Sequence, residues 1–263
     1  MLSGADLRLA RRIEMAEVAH AIASAEALKP IRHDTMAMPI AGGFAVFAGV
    51  QSALTHAVGI GLDGTVPEAD LEQMEEFFRL QGSPCVIDLC PLADISILAF
   101  LQRHRYRLAD FNNVMARSIT PNESFAAREA IGEIHESERN EWARVICSGF
   151  SAQMPVEEEA VALIAATSKA SRCWLAVENT PVAGAAMGEH HGVALLYGDA
   201  TIPQARGRGW QSALIAARLA AAQKLGCDLA AASVLPGSNS HRNYERAGFQ
   251  LLYMRVNLTN EGT

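Results

Sequence analysis

Apolar and polar residues alternate along this chain in two successive sets with the same order. In the first set, residues 5–28 read as an amphipathic helix. Leu7, Ala10, Ile13, Ala16 or Glu17, and Ala21 fall near helical spacing, and Pro30 ends the run. Residues 44–62 are β-rich and punctuated by glycine. Residues 67–81 carry Leu71, Met74, Phe77 and Phe78 at helical spacing behind Pro67. Val86–Leu89 reads as a buried strand, Pro91–Arg105 as a helix and Arg107–Ile119 as a returning strand.

The second set begins near residue 128. Ala130–His135 reads as a strand, and Ser137–Cys147 and Val156–Thr167 as helices, the latter with Pro155 at its start. Strands are expected at Cys173–Val177, Val182–Met187 and Val193–Thr201, the last two separated by a turn at Gly188–Gly192. Trp210–Leu225 is a helix ended by Gly226. Leu229–Val234 is a strand, Ser238–Ala247 a helix and Phe249–Leu258 a final strand.

The two sets echo each other at matched places. Gly64-Thr65-Val66-Pro67 corresponds to Ala200-Thr201-Ile202-Pro203, and each precedes a helix and then a strand. After each strand comes a proline, Pro91 or Pro236, then a short helix ending near an aromatic, Tyr106 or Phe249. This ordered series indicates a degenerate tandem duplication. It predicts two α/β (α+β) domains, residues 1–122 and 123–263, each a mixed, mostly antiparallel sheet flanked by helices.

Composition narrows the partners. The chain has 263 residues, half of them apolar and 19% charged, and a net charge of -7. No long basic block is present, which disfavours a nucleic-acid partner. The longest apolar stretch, Phe44–Leu62, is broken by polar residues and glycines, which argues against a membrane span. The five cysteines are scattered without a CxxC pair, so neither a zinc site nor a disulfide framework is expected, and a cytoplasmic location follows.

The candidate chemistry lies in the second set. Arg206-Gly207-Arg208-Gly209 sits between a predicted strand and a predicted helix. Glycines there let backbone N–H groups approach a ligand, and the helix N-terminus adds positive charge. Arginines add charge-assisted bonds, so the turn suits a pyrophosphate. The first set has Pro67-Glu68-Ala69-Asp70-Leu71-Glu72-Gln73-Met74-Glu75-Glu76 at the matching place, an acidic run without glycine that would repel one.

The segment Thr201-x-Pro203 followed by Arg206-x-x-Gly209-x-Gln211 resembles the phosphate-binding signature of the Gcn5-related N-acetyltransferase (GNAT) superfamily. Gln211 replaces the small last residue of that pattern. Ser240, Tyr244, Arg246, Gly248 and Phe249 are similar to a late helix of the same family, with Gly237 where the family often has asparagine and Asn239 displaced by two positions. The resemblance covers the C-terminal half, and the N-terminal half reads as a degenerate, non-catalytic repeat of it.

The resemblance implies acetyl-CoA as cosubstrate and an amine acceptor, either a small molecule or a peptide, with a homodimer compatible. It carries cofactor binding to Thr201, Ile202, Arg206, Gly207, Arg208, Gly209, Trp210, Gln211, Ser212, Asn239, Ser240 and Tyr244. It also places Tyr244 near the thioester sulfur as the acid. Glu189 and Asp199 are the candidate bases, with His190, His191 and Tyr197 beside them and His135 or Glu136 as outsiders. The oxyanion donor is expected to be a backbone N–H near Asp199–Thr201. Two adjacent histidines without a third ligand make no metal site. A non-catalytic protein that binds or senses CoA, or binds a partner, is the alternative of a different class.

Overall fold

A computed structural model describes residues 6–126, 128–150 and 156–260. The described residues divide into two compact units, residues 115–250 and residues 6–114 with 251–260.

In the N-terminal unit, Asp6 caps helix α1 (Leu7–Leu28) by accepting the Leu9 N–H at 2.7 Å. Ala10, Ile13, Ala16 and Ala21 are buried as the spacing predicts, Ala25 and Leu28 extend the stripe, and Leu7, expected on it, is exposed at the first turn. The stripe also holds Glu14, fully buried. Arg255 donates to it at 2.7 Å and the Tyr253 hydroxyl at 2.8 Å, while Arg255 also reaches Glu17 at 3.0 Å. A buried carboxylate persists only with such partners.

The β-rich stretch resolves into β2 (Gly43–Phe47) and β3 (His56–Val58). They follow β1 (Met36–Ile40), which the pattern did not suggest. Pro39 weakens the strand signal there, and β1 tolerates it because it lies at the edge of the sheet. Helix α2 (Glu68–Leu80), β4 (Cys85–Leu89), α3 (Ser96–Arg103) and β5 (Arg107–Ser118) follow. α3 starts five residues later than Pro91, where the Asp94 carboxylate accepts from the Ser96 N–H at 2.9 Å. Leu71, Met74 and Phe78 from α2 pack with Ile87, Ile97 and Phe100 in the core.

The C-terminal unit contains β6 (Ile131–Glu133), α4 (Arg139–Phe150), α5 (Glu158–Thr167), β7 (Arg172–Val177), β8 (Pro181–His190), β9 (Val193–Thr201), α6 (Trp210–Lys224), β10 (Leu229–Val234) and α7 (Asn239–Arg246). Pro155, expected to start α5, lies outside the described residues. β8 runs three residues beyond Met187, so the supposed turn residues Gly188, Glu189 and His190 pair with β9. α4 and α5 cover one face of the sheet through Trp142, Ile146 and Val161, and the other face meets Leu214, Ile215 and Leu219 of α6.

Both units repeat one order. In each, an antiparallel meander (β1-β2-β3, or β7-β8-β9) leads through a helix into a parallel neighbour (β4, or β10). The fold is thus α/β and tandem, each sheet mixed and mostly antiparallel.

The boundary differs from a cut at 122/123. The last strand, β11 (Gln250–Asn260), pairs antiparallel with β4 from Val256↔Leu89 to Asn260↔Cys85 and belongs from Leu251 onward to the N-terminal unit. Residues 115–118 of β5 belong to the C-terminal unit, where β5 neighbours β10. Each unit is completed by a strand from the other half of the sequence. Strand order along a chain carries no record of pairing partners, so periodicity alone placed both strands with their own halves.

Candidate acetyl-CoA site

β9 builds one wall of the site. Its parallel pairing with β10 covers Val193–Leu195 against Leu229–Ala231, while its pairing with β8 continues to Thr201. Beyond Leu195 the two parallel strands therefore splay. Opposite Ala185, β9 holds two residues, Gly198 and Asp199, because Ala186 pairs with Tyr197 and Gly184 with Ala200. That extra residue is a β-bulge, and Gly198 supplies the positive φ of +66° it requires. The bulge re-aims the strand end.

Arg218 from α6 secures the bulge from within. Its side chain is fully buried and donates to the carbonyls of Ala186 at 3.0 Å, Tyr197 at 3.2 Å and Leu214 at 3.1 Å. It also pairs with Oδ1 of Asp199, and Oδ2 of Asp199 accepts the Tyr244 hydroxyl at 2.6 Å. Tyr244 is only 1% exposed. Burial, then the Asp199 charge, hold its phenol well above the usual value.

The phosphate turn follows β9. Pro203–Ala205 make one 3-10 turn, then Gly207 and Gly209 both take φ of +77°, and Gly209 is the N-cap of α6. A side chain at Gly209 would meet nothing within 4 Å, so its glycine serves backbone conformation rather than tight packing. The first-turn N–H groups of Trp210, Gln211 and Ser212 have no carbonyl four residues back in the helix and suit an anion. Trp210 is buried under the Arg128 guanidinium, 4.5 Å from its ring centre.

These elements surround a cleft of about 640 Å³. Thr201, Arg206, Gly207, Gly209, Trp210, Gln211, Ser212 and Asn239 of the expected set line it, as does Asp199. Five expected residues do not. The Arg208 guanidinium turns away to Glu178 at 2.8 Å and to the Gln204 carbonyl. Ile202 packs against the core, and the Ser240 hydroxyl accepts from Gln211 at 2.8 Å. Tyr244 is buried behind Asp199, to which its hydroxyl donates, and does not line the cleft. Glu189 pairs with the strand start at Ala194, five residues or about 17 Å along β9 from Asp199, and does not line the cleft.

The remaining base candidates fare no better. Tyr197 is within hydrogen-bonding distance of the Ser171 hydroxyl, and burial raises its phenol. His190 ends β8 opposite Val193, with burial lowering it, and His191 begins the β8–β9 turn. Outside the expected cofactor set, Gly149, Ala200, Ala205, Leu214, Arg242, Asn243 and Arg246 also line the cleft, Arg246 being expected only as part of the late-helix match. The i,i+4 spacing of Arg242 and Arg246 was a readable signal. Gly149, from α4, had none. No group of three or more His, Cys, Asp or Glu suited to a metal occurs among the described residues, and no helix among them is long and apolar enough to cross a membrane.

Tyr244→Phe is expected to keep turnover within about tenfold, since loss of a true general acid costs about 10²–10⁴. It should lower stability by about 1–3 kcal/mol by leaving Asp199 Oδ2 without a donor. Steady-state rates and denaturant unfolding check both, and a rate loss above a hundredfold would restore the acid role.

Comparison with known proteins agrees with this geometry. Residues 133–249 match the model of the acetyltransferase (GNAT) family. No curated protein matches the chain. Among solved structures, a GCN5-related N-acetyltransferase from Kribbella flavida is 17% identical, with TM-score 0.66 over 93% of this chain and 96% of that one. A conserved protein of unknown function from Staphylococcus epidermidis is 10% identical, with TM-score 0.56 over 90% and 98%. A tandem GNAT protein from the clavulanic acid biosynthesis pathway is 12% identical, with TM-score 0.52 over 73% and 68%. Such low identities carry the fold alone, and the family assignment rests on residues 133–249, under half of the chain, which are matched as an acetyltransferase domain of the GNAT family.

Proposed function

We propose that the C-terminal unit transfers the acetyl group of acetyl-CoA to a primary amine by direct attack. The observation that carries the reading is the cleft itself: a glycine turn and a helix N-terminus open into it at the end of a splayed, bulged strand. Acetyl-CoA supplies an activated thioester there. The amides of Gly209, Trp210, Gln211 and Ser212 suit its pyrophosphate, and Arg206 lies beside them. Arg206 is held by the carbonyls of Thr201 at 3.3 Å and Gly149 at 2.9 Å, so its charge meets no carboxylate.

The stretch of β9 beyond Leu195, which has parted from β10, gives backbone N–H groups a place to polarise the carbonyl. Asp199 fixes that stretch through Arg218 and Tyr244 rather than accepting a proton, since both its oxygens are engaged. An alkylamine has a pKa of roughly 10 and must arrive deprotonated. Among the described residues lining the cleft, the one carboxylate, Asp199, is already paired, and this favours a second reading, a CoA-binding protein with little turnover. CoA release from acetyl-CoA across an amine panel separates the two. Tight binding with no release on any amine supports the second.

The N-terminal unit is proposed to bind no acetyl-CoA. Its α2 follows Pro67 and opens on Glu68 and Asp70, which repel an anion. Calorimetry should give one acetyl-CoA per chain, and two would refute this.

A further inference from the structure

We propose that Arg242 and Arg246 of α7 form a second anion subsite in the cleft, which takes the 3′-phosphate on the ribose of CoA. The proposal rests on the acetyl-CoA reading above and extends it to a part of the molecule the phosphate turn does not serve.

Arg242 and Arg246 are one helical turn apart, both exposed, and both line the cleft. Two like charges at i,i+4 repel, so the pair gains from an anion between them. Their hydrogen bonds are to neutral acceptors. Arg242 donates to the Gly237 carbonyl at 3.2 Å and to Asn239 at 2.6 Å, and Arg246 donates to Asn243 at 3.0 Å. Other arginines around the site are spent differently. Arg208 pairs with Glu178, Arg218 pairs with Asp199, and Arg128 lies over Trp210. The α7 pair thus orients two guanidiniums without neutralising them.

Gln211 ties this pair to the phosphate turn. From the first turn of α6, its amide donates to the Ser240 hydroxyl at 2.8 Å and accepts from Asn243 at 2.7 Å. Asn243 is in turn the acceptor for Arg246. The residue that departs from the family pattern therefore sets the spacing between two cationic sites. CoA matches two such sites, with a pyrophosphate and a separate phosphate monoester that carries nearly two charges at neutral pH.

The test is calorimetry with acetyl-CoA and with 3′-dephospho-acetyl-CoA, on wild type and on the Arg242→Gln/Arg246→Gln double variant. Wild type should prefer acetyl-CoA by at least about tenfold, the worth of one charge-assisted hydrogen bond. That preference should shrink as salt is raised. The double variant should bind acetyl-CoA as weakly as wild type binds the dephospho form, with dephospho affinity itself unchanged. Equal affinity of wild type for the two molecules, or equal loss of both in the double variant, would overturn the subsite. Wild type binding neither molecule would instead overturn the acetyl-CoA reading, and this subsite with it.

Discussion

Gly209→Glu is expected to abolish measurable acetyl-CoA binding, with a loss well above a hundredfold. Two effects combine. Gly209 has φ of +77°, and a residue with a Cβ held there costs about 1–2 kcal/mol. The new side chain also meets no protein atom near its Cβ, so the carboxylate is free to extend into the cleft, where the pyrophosphate would lie. A hundredfold is about 2.8 kcal/mol, which like-charge repulsion at a helix N-terminus readily exceeds once water is displaced. Gly209→Ala separates the two effects, because it adds the strain without the charge, and it should lose no more than about thirtyfold. Unchanged affinity of the glutamate variant by calorimetry would remove the turn from the site.

Arg218→Met should destabilise the C-terminal unit by about 3–5 kcal/mol, as removal of one member of a buried ion pair does. The substitution leaves the Asp199 carboxylate without its cation and removes the guanidinium's bonds to the carbonyls of Ala186 and Tyr197. Asp199→Asn should also destabilise, by stranding a buried guanidinium. The double variant should cost clearly less than the sum of the singles, since neither charge is then stranded. Denaturant unfolding of the four proteins measures this. Additive singles, or a loss below about 1 kcal/mol for Arg218→Met, would mean that the pair does not hold the bulge.

The elements and the phosphate turn were legible in the sequence because they rest on local rules. Leu71, Met74 and Phe78 recur at helical spacing, and they are the buried face of α2. Gly207 and Gly209 marked a turn that needs positive φ, and they adopt it. The acidic run after Pro67 already set the first repeat apart from the second.

Contacts across the fold were not legible. Tyr244 matched a family position, yet its hydroxyl serves Asp199 because Arg218, from a helix between them in sequence, draws that carboxylate inward. Glu189 looked close to the central strand but sits at the far end of its hairpin. Glu14 is buried beside Arg255, 241 positions away, which no local pattern signals.

By itself the sequence determined the repeat, the order of its strands and helices, and the cationic glycine turn of the second half, since each follows from spacing and backbone preference. Tertiary structure alone decided that β11 pairs with β4, that a bulge at Gly198 aims the end of β9, and that Arg206, Arg242 and Arg246 face one cleft. The physical reason is the same in all three. Pairing, ion pairing and cleft formation depend on distances between residues remote in sequence, and local periodicity carries no information about them.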